Sequence, residues 1–340
     1  MNNKKKILVC GGDGFIGTYL CDELLKRGYN IVCVDNHSKY GPVIRPHHKN
    51  PNFDLIIGDV KNLETELKHS GRSCNFDYII CLAAKIGGIE FFNAYAADLM
   101  CENERIMASA FEFAKSIRNH LKRIIVISSS MVFESTEVFP TPETEINNCR
   151  IPLSVYGFQK LACEFWAKGY WKQYGIPYTI IRPFNCVGAY EDDAKDGKEI
   201  YSGNVKMMLS HVLPDLVNKC LKGQNPLHIL GNGNQIRSYT NGKDIAQGIC
   251  LSMESDKALN EDFNISTPDS TSVLELAEKV WNKINPDKPF EYSCDEPYEH
   301  DVLKRVPDVS KAKALLGFEA KISLDESIDE VIEYFRNKTS

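Results

Sequence analysis

The chain has 340 residues, a net charge of −6 and 43% hydrophobic residues, a composition typical of a globular protein with one large α/β core or a core with an attached lobe. Its basic residues form no block beyond Lys4-Lys5-Lys6, so we expect no nucleic-acid partner. Since no apolar run approaches the roughly 18 residues of a membrane span and no signal-peptide pattern opens the chain, we expect no membrane association and a cytoplasmic location.

The first 35 residues contain a strand, a glycine turn, a helix, a second strand and an acid, in that order. The apolar run Ile7–Cys10 leads into a Gly-x-x-Gly-x-x-Gly turn at residues 11–17, helical spacing of leucines follows over 18–27, and the run Ile31–Val34 ends at Asp35. Small residues let the backbone approach a pyrophosphate at a helix N-terminus, and an acid after the second strand accepts hydrogen bonds from ribose hydroxyls but repels a 2′-phosphate. The order predicts a site for NAD in preference to NADP, with a purely structural turn as the alternative.

The same alternation of strands and helices continues to about residue 185. Further apolar runs cover 55–57, 78–82, 123–127 and 179–182, and a long helical stretch covers 99–116. This pattern predicts parallel βαβ units in a doubly wound, Rossmann-type sheet, with ligand residues at the carboxyl ends of its strands.

Beyond residue 185 the alternation fades into a charged loop and a helical stretch over 206–222. We therefore predict an NAD-binding Rossmann domain over 1–185 and a smaller α/β substrate lobe over 186–340, in which 240–260 return to the first domain.

Tyr156 and Lys160 are four residues apart in a helical pattern, which places both side chains on one face. A phenol has a reference pKa of about 10 and is a weak base at neutral pH, but a nearby ammonium group favours the phenolate. Such a pair can take a proton from a substrate hydroxyl while hydride leaves the same carbon. The alternative is a surface tyrosine beside a solvated lysine.

The joint pattern resembles the extended short-chain dehydrogenases/reductases, which include nucleotide-sugar epimerases and dehydratases. The matching segments are Gly11/Gly14/Gly17, Asp35, Gly58-Asp59-Val60, Leu82-Ala83-Ala84, Ser128-Ser129-Ser130, Tyr156/Lys160, Arg182-Pro183-Phe184-Asn185 and Arg305–Lys313. The resemblance implies NAD as cofactor, a nucleotide-diphosphate sugar as substrate, and a homodimer formed through the helices at 99–116 and 153–174.

The resemblance also implies a role for each matching position. Tyr156 is the base, Lys160 its modulator, and Ser129 the donor to the sugar oxygen. The cofactor-binding set is Gly11, Gly14, Phe15, Ile16, Gly17, Asp35, Asn36, Asp59, Val60, Leu82, Ala83, Ala84, Tyr156, Lys160 and Pro183. The substrate-binding set is Lys85, Gly87, Ser130, Met131, Asn185, His211, Val212, Arg237 and Arg305. For the two arginines, surface salt bridges are the alternative.

Three positions depart from relatives within that family. The 4,6-dehydratases carry Asp-Glu where this chain has Ser130-Met131, and a thioether cannot transfer a proton. His211 matches a histidine that GDP-fucose synthases use as an acid, whereas typical UDP-galactose 4-epimerases carry Asn there. It is either a proton donor or sugar contact, or a packed residue at a helix start. Glu134 is interpreted as a solvated loop residue, with an acid/base role as the alternative.

The remaining histidines show no metal-ligand spacing, and no metal site is predicted. His47-His48 is expected to be an exposed loop pair. The twelve cysteines lack a Cys-x-x-Cys pair, so we expect reduced thiols packed as small apolar residues.

The sequence thus favours an NAD-dependent nucleotide-sugar 4-epimerase that acts through a transient 4-keto sugar. The alternatives are a GDP-sugar 4-oxidoreductase or a 3,5-epimerase that uses His211, then an atypical dehydratase or a non-catalytic NAD-binding regulator. The base and sugar are expected to be selected by the loop 189–204.

Overall fold

The structure, a computed structural model, describes residues 5–72, 74–86, 95–195, 201–208, 210–296 and 302–339. Its strands are β1 (Lys6–Cys10), β2 (Asn30–Asp35), β3 (Phe53–Ile57), β4 (Tyr78–Cys81), β5 (Arg123–Ile127), β6 (Tyr178–Pro183), β7 (Cys186–Val187), β8 (Tyr201–Ser202), β9 (Val205–Lys206), β10 (Leu227–Leu230), β11 (Ile236–Arg237), β12 (Thr240–Asn241), β13 (Glu261–Ile265), β14 (Thr271–Ser272), β15 (Tyr292–Asp295) and β16 (Lys304–Arg305). Its α-helices are α1 (Phe15–Lys26), α2 (Leu63–His69), α3 (Ala96–Ser116), α4 (Val155–Tyr174), α5 (Val212–Leu221), α6 (Gly242–Glu254), α7 (Val273–Ile284), α8 (Ser310–Leu316) and α9 (Leu324–Thr339).

A seven-stranded sheet in the order β13-β6-β5-β4-β1-β2-β3 forms the centre of the molecule. Every pairing in it is parallel. The strand order reverses between β1 and β4, and in such sheets ligands bind in the crevice outside the carboxyl ends at that point. The predicted Rossmann-type α/β fold is confirmed.

The sheet is covered on both faces, which explains why its strands are continuous apolar runs. Alternate residues of β1 face opposite sides: Ile7 and Val9 pack with helices α1 and α6, whereas Leu8 and Cys10 pack with α2, α3 and α4. Helix α6 and strand β13 come from the C-terminal half of the chain, yet both belong to this central layer.

A second apolar cluster lies under helices α5, α7 and α9 and strand β10. The helix predicted over 206–222 begins only at Val212, with His211 as its N-cap, because Val205–Lys206 pairs as a strand with Tyr201–Ser202. Pro214 falls in the first turn of α5, where a missing N–H is tolerated.

The cysteines are free thiols, and most are buried as predicted. The prediction is wrong for Cys101 and Cys294, which are exposed. Within the ranges that the structure describes, no helix has both the length and the apolar character needed to cross a bilayer.

Candidate active site

The glycine turn between β1 and α1 depends on close backbone contacts. Gly11 has a φ of +83°, and a Cβ there would lie 2.7 Å from the backbone nitrogen of Ala83. A Cβ on Gly17 would collide with the carbonyl oxygens of Gly11 and Gly12. Gly14 is the N-cap of helix α1 and makes no side-chain hydrogen bond. The N–H groups of the first turn therefore have no competing acceptor from the N-cap residue, and they can bind an anion.

Asp35 ends β2 beside this turn. Its carboxylate accepts hydrogen bonds from the backbone N–H groups of Asp13, at 3.1 Å, and His37, at 2.8 Å. Burial raises the pKa of Asp35 in spite of these two bonds. A carboxylate at this position has only acceptor oxygens, so Asp35 can accept hydrogen bonds from the two ribose hydroxyls of NAD. Asp35 and the glycine turn together form a site that fits this cofactor, here called the Asp35 cradle.

A cleft with a cavity volume of about 430 Å³ follows the carboxyl ends of the strands. It brings together the predicted catalytic residues and most of the predicted binding residues. Those lining it are Gly11, Gly14, Phe15, Ile16, Gly17, Asp35, Asn36, Asp59, Val60, Leu82, Ala83, Ala84, Lys85, Ser129, Ser130, Met131, Tyr156, Lys160, Pro183, Asn185, His211 and Arg305. Val212 and Arg237 do not line the cleft among the described residues. Gly87 lies outside the described residues, as do 196–200 of the loop expected to select the substrate.

Tyr156 and Lys160 lie in the first two turns of α4 and are both buried, at 5% and 7% exposure. The Nζ of Lys160 donates to the carbonyl oxygen of Ile127 at 3.0 Å and stands 5.9 Å from the centre of the Tyr156 ring. A surface tyrosine beside a solvated lysine is therefore not what the structure has. Ser129 is the second residue after β5 and accepts a hydrogen bond from the N–H of Met131 at 3.2 Å.

The start of α4 is held by Glu134, which sequence reasoning took for a solvated loop residue. Both its carboxylate oxygens are within 2.5 Å of Ser154, one accepting from the backbone N–H and the other from the hydroxyl. Ser154 in turn caps the helix by accepting from the N–H of Gly157 at 3.0 Å. Glu134 thereby fixes the turn that carries Tyr156.

Behind the cleft lies a buried ion-pair network. Glu164 on α4 accepts from the hydroxyl of Ser128 and makes two bonds of 2.7 Å to the Arg182 guanidinium. Arg182 also lies 2.7 Å from Asp262. Burial alone would lower the pKa of Arg182, but the two carboxylates raise it above its usual value. The network ties α4 to β5, β6 and β13, the elements that surround Ser129 and Tyr156.

Met131 lines the cleft beside Tyr156. It packs against Tyr156 and Leu99, and its sulfur lies 3.3 Å from a guanidinium nitrogen of Arg305. Arg305 is the direct strand neighbour of Arg237, which is 5% exposed. Burial raises the pKa of Tyr239 to about 12 although both arginines act against that rise. Arg305 therefore lines this end of the cleft, and Arg237 is its buried neighbour on the adjacent strand.

His211 caps helix α5 at the cleft and pairs with Glu191. Its Nδ1 lies 2.5 Å from a carboxylate oxygen of Glu191, which also accepts the backbone N–H of His211. Burial would raise the pKa of Glu191, but His211 lowers it below its usual value. His211 is thus a held, half-exposed imidazole at a helix start, which fits either of its two sequence interpretations.

Sequence reasoning missed Asn103 on α3. Its side chain accepts from the N–H of Lys85 at 2.6 Å and donates to the carbonyl oxygen of Lys85 at 3.1 Å, which fixes the segment after β4. A buried polar residue within a helical apolar pattern was the signal that could have found it. The segment His37–Val43 also lines the cleft and was not predicted.

The expectation of an exposed His47-His48 pair is wrong. His47 is 2% exposed, and both imidazoles contact the carboxylate of Asp13 within the glycine turn. Burial would raise the pKa of Asp13, but the hydrogen bonds from His47, His48 and His37 hold it at about 2. The alternation signal does not report contacts of this kind, because the two segments are separated by a strand and a loop.

Comparisons with known proteins agree with this geometry. The model of the NAD dependent epimerase/dehydratase family matches residues 7–266. A putative UDP-glucose 4-epimerase of Methanocaldococcus jannaschii is 26% identical over 97% of this chain and 98% of its own length. UDP-glucuronic acid decarboxylase 6 of Arabidopsis thaliana is 30% identical over 97% of this chain and 89% of its own.

The solved structures include a UDP-glucose 4-epimerase of Thermotoga maritima with UDP-glucose. It is 30% identical, covers 98% of this chain and 100% of its own, and superposes with a TM-score of 0.82. The family match spans more than half of the chain and covers the glycine turn, Asp35 and the Tyr156 helix. The chain therefore belongs to the NAD dependent epimerase/dehydratase family and is an enzyme that uses NAD.

Proposed function

We propose that this enzyme inverts C4 of a UDP-sugar through a transient 4-keto sugar. The observation that carries the proposal is the convergence of Ser129, Tyr156 and Lys160 on one cleft with the Asp35 cradle. The relatives named as UDP-sugar 4-epimerases support the choice of reaction and of nucleotide.

NAD, held by the glycine turn and Asp35, would supply the hydride acceptor and donor for the sugar C4. Tyr156 removes the proton from O4 in the first step and returns it in the second, as a general acid/base in hydrogen-bond reach of that oxygen must do. Lys160 is buried beside the Tyr156 ring and anchored on Ile127, so it holds a positive charge next to the proposed base. Ser129 donates to O4 and keeps the oxygen in place while the keto sugar turns over.

The Arg305 guanidinium at one end of the cleft suits the pyrophosphate of the substrate. Arg305 lines the cleft and Arg237 is its strand neighbour. A planar guanidinium fork binds phosphate oxygens in two places at once. Asn185, the second residue after β6, has a φ of +35°, a conformation uncommon for a non-glycine residue. It lines the cleft together with Pro183.

The residues of the cleft are less suited to the competing reactions. Met131 stands where a dehydratase needs a proton-transferring group. A 3,5-epimerase or a 4-oxidoreductase remains the second candidate because His211 and Glu191 form an imidazole–carboxylate pair at the cleft. A third candidate is decarboxylation of a UDP-glucuronic acid, which shares the first oxidation and is named for a relative.

We also propose that the enzyme is a homodimer. The outer face of α4 exposes Val155, Phe158 and Phe165 at spacings of three and seven residues. Apolar side chains at such spacing form one stripe on a helix, and an exposed stripe of this kind marks an interaction surface. Pairing of α4 and its neighbour α3 with those of a second copy covers it.

Incubation of the purified enzyme with UDP-glucose, UDP-glucuronic acid and their N-acetylated analogues in deuterated water separates the candidates. A 4-epimerase gives the C4 epimer without solvent deuterium at carbon, measured by proton NMR. Deuterium at C3 or C5 identifies a 3,5-epimerase, carbon dioxide a decarboxylase, and accumulated NADH a dehydrogenase; each of these three results rejects the proposal.

A further inference from the structure

The carboxylate of Asp13 contacts three imidazole rings from the segment that follows β2. Its Oδ1 lies 2.9 Å from the Nε2 of His47 and 2.8 Å from the Nε2 of His48, and its Oδ2 lies 2.7 Å from the Nε2 of His37. Asp13 is 2% exposed. The proposed reaction requires none of these imidazole rings, and the cofactor cradle uses only the backbone N–H of His37, which donates to Asp35.

Two imidazole nitrogens and one carboxylate oxygen of this cluster form a metal-ligand set. The ligand atoms of Asp13, His47 and His48 all lie within 4.8 Å of one another. Zn²⁺ binds nitrogen and oxygen at about 2.0–2.2 Å in tetrahedral sites, which places neighbouring ligand atoms about 3.3 Å apart. The separations of 2.9 and 2.8 Å from Asp13 need an outward shift of a few tenths of an ångström to admit such an ion.

The surroundings resemble the outer sphere of a metal site. Among the described residues the buried Nδ1 of His47 has no hydrogen-bond partner, and it lies 3.7 Å from the carboxylate of Asp22. A histidine that binds a metal through Nε2 donates its other N–H to such a carboxylate. His37 contacts the second carboxylate oxygen of Asp13 and so fixes the orientation of this carboxylate.

The imidazoles are held rigidly by packing and by local structure. The ring of His47 lies 4.5 Å and that of His48 5.6 Å from the ring of Phe53. The short 3-10 helix Pro46–Lys49 places both histidines next to each other, and Arg45 joins it to the turn by donating to the backbone oxygen of Asp13 at 3.1 Å. Little side-chain reorganisation is therefore needed on binding.

One contact opposes metal binding. The backbone N–H of Arg45 lies 3.4 Å from the Nδ1 of His48, and a metal on Nε2 would place a proton on that Nδ1. The distance is at the long limit of hydrogen bonding, where the bond is weak, so its loss is outweighed by a coordinate bond.

We propose that Asp13, His47 and His48 bind one divalent transition-metal ion of the Zn²⁺ class. His48 is 21% exposed in its side chain, which leaves an open position for water. His47 and His48 do not line the cleft in the described part of the chain, whereas Asp13 and the His37–Val43 segment do. The ion is therefore structural: it fastens the segment between β2 and β3 to the glycine turn.

The test uses the full chain without an affinity tag, stripped with a chelator and then equilibrated with Zn²⁺ or Co²⁺. We expect one Zn²⁺ per chain by mass spectrometry of the metal, a higher melting temperature, and the intense visible absorption of tetrahedral Co²⁺. His48→Gln, at the partly exposed ligand, should abolish all three while circular dichroism shows a folded protein. Asp22→Asn should weaken Zn²⁺ binding by about 10- to 100-fold, as expected for an outer-sphere partner.

His69→Asn is the matched control, because His69 is exposed at the end of α2. It should bind Zn²⁺ as the unmodified protein does. If the stripped protein takes up no stoichiometric metal and its melting temperature is unchanged, Asp13 and the histidines are a hydrogen-bonded cluster and the metal site is rejected. Equal loss of binding in His69→Asn would likewise overturn the assignment.

Discussion

Tyr156 packs with Met131 and Leu99 and lines the cleft, where its hydroxyl is the proposed acid/base. Tyr156→Phe should lower turnover by about 10²- to 10⁴-fold, the usual contribution of a general acid/base. The NAD content of the purified variant, measured after acid release, should be unchanged.

Tyr174→Phe is the matched control, since Tyr174 lies at the exposed C-terminal end of the same helix. It should retain full activity. A Tyr156→Phe enzyme as active as the unmodified one would show that another group is the base.

His211 tests which reaction follows the first oxidation. If the enzyme is a plain 4-epimerase, His211→Asn keeps a polar helix start and should reduce turnover by less than about tenfold. Loss of 10²-fold or more is what removal of a general acid produces, and it would favour the 3,5-epimerase instead. His228→Asn is the control, because His228 also pairs with a carboxylate, Asp295 at 2.8 Å, but does not line the cleft.

Single residues were predictable where a motif constrained them and not where contacts cross between segments. The glycine turn, Asp35, Tyr156 and Lys160 follow from the joint order and spacing of their motifs along the chain, although each motif alone has a structural alternative. Glu134 and Asp13 do not: their partners, Ser154 and His47-His48, are fixed by the fold, and no local pattern encodes them. Val212 and Arg237 were placed in the substrate set by resemblance, yet neither lines the cleft.

At the scale of elements, the ion pair of Glu164 and Arg182 fastens helix α4 to the sheet. Both side chains are fully buried. Glu164→Gln leaves the Arg182 guanidinium with Asp262 as its remaining carboxylate, and breaking a buried pair costs about 3–5 kcal/mol. We expect a loss near the lower end, about 3 kcal/mol, in the free energy of unfolding measured with urea.

The control for that measurement is Glu64→Gln, which removes an exposed pair with Lys68 on α2. Exposed pairs contribute little because water and salt screen them, so this variant should unfold at the same urea concentration as the unmodified protein. A Glu164→Gln variant that matched it would show that the network does not stabilise α4.

The exposed stripe of α4 predicts the oligomeric state. Phe165 is 64% exposed, and Phe165→Glu places a charge at the centre of the proposed dimer contact, where it cannot be solvated. Light scattering after gel filtration should give a dimer for the unmodified protein and a monomer for this variant. Leu259→Glu, at an apolar residue 44% exposed elsewhere, should remain dimeric; a dimeric Phe165→Glu would place the interface on another surface.

Elements were predictable in the first half of the chain because buried parallel strands are continuous apolar runs that alternate with amphipathic helices. The second half has short strands of two to four residues, such as β8, β9 and β11, which leave no periodic signal. The predicted start of the helix at residue 206 is therefore too early. The division into lobes at 185 and 186 stays a prediction.

At the scale of the whole molecule, the central claim is that the hydride removed from C4 returns to the same carbon. Strand order places the Asp35 cradle and the Tyr156 helix on either side of the point where the sheet reverses, and residues of both line one cleft, where the proposed reaction would bring cofactor and sugar together. The most direct test is to incubate the enzyme with UDP-glucose carrying deuterium at C4, in ordinary water. We predict that the epimerised product keeps the deuterium at C4, as seen by NMR and mass spectrometry. A C4 epimer that had exchanged this deuterium for solvent hydrogen would contradict the account.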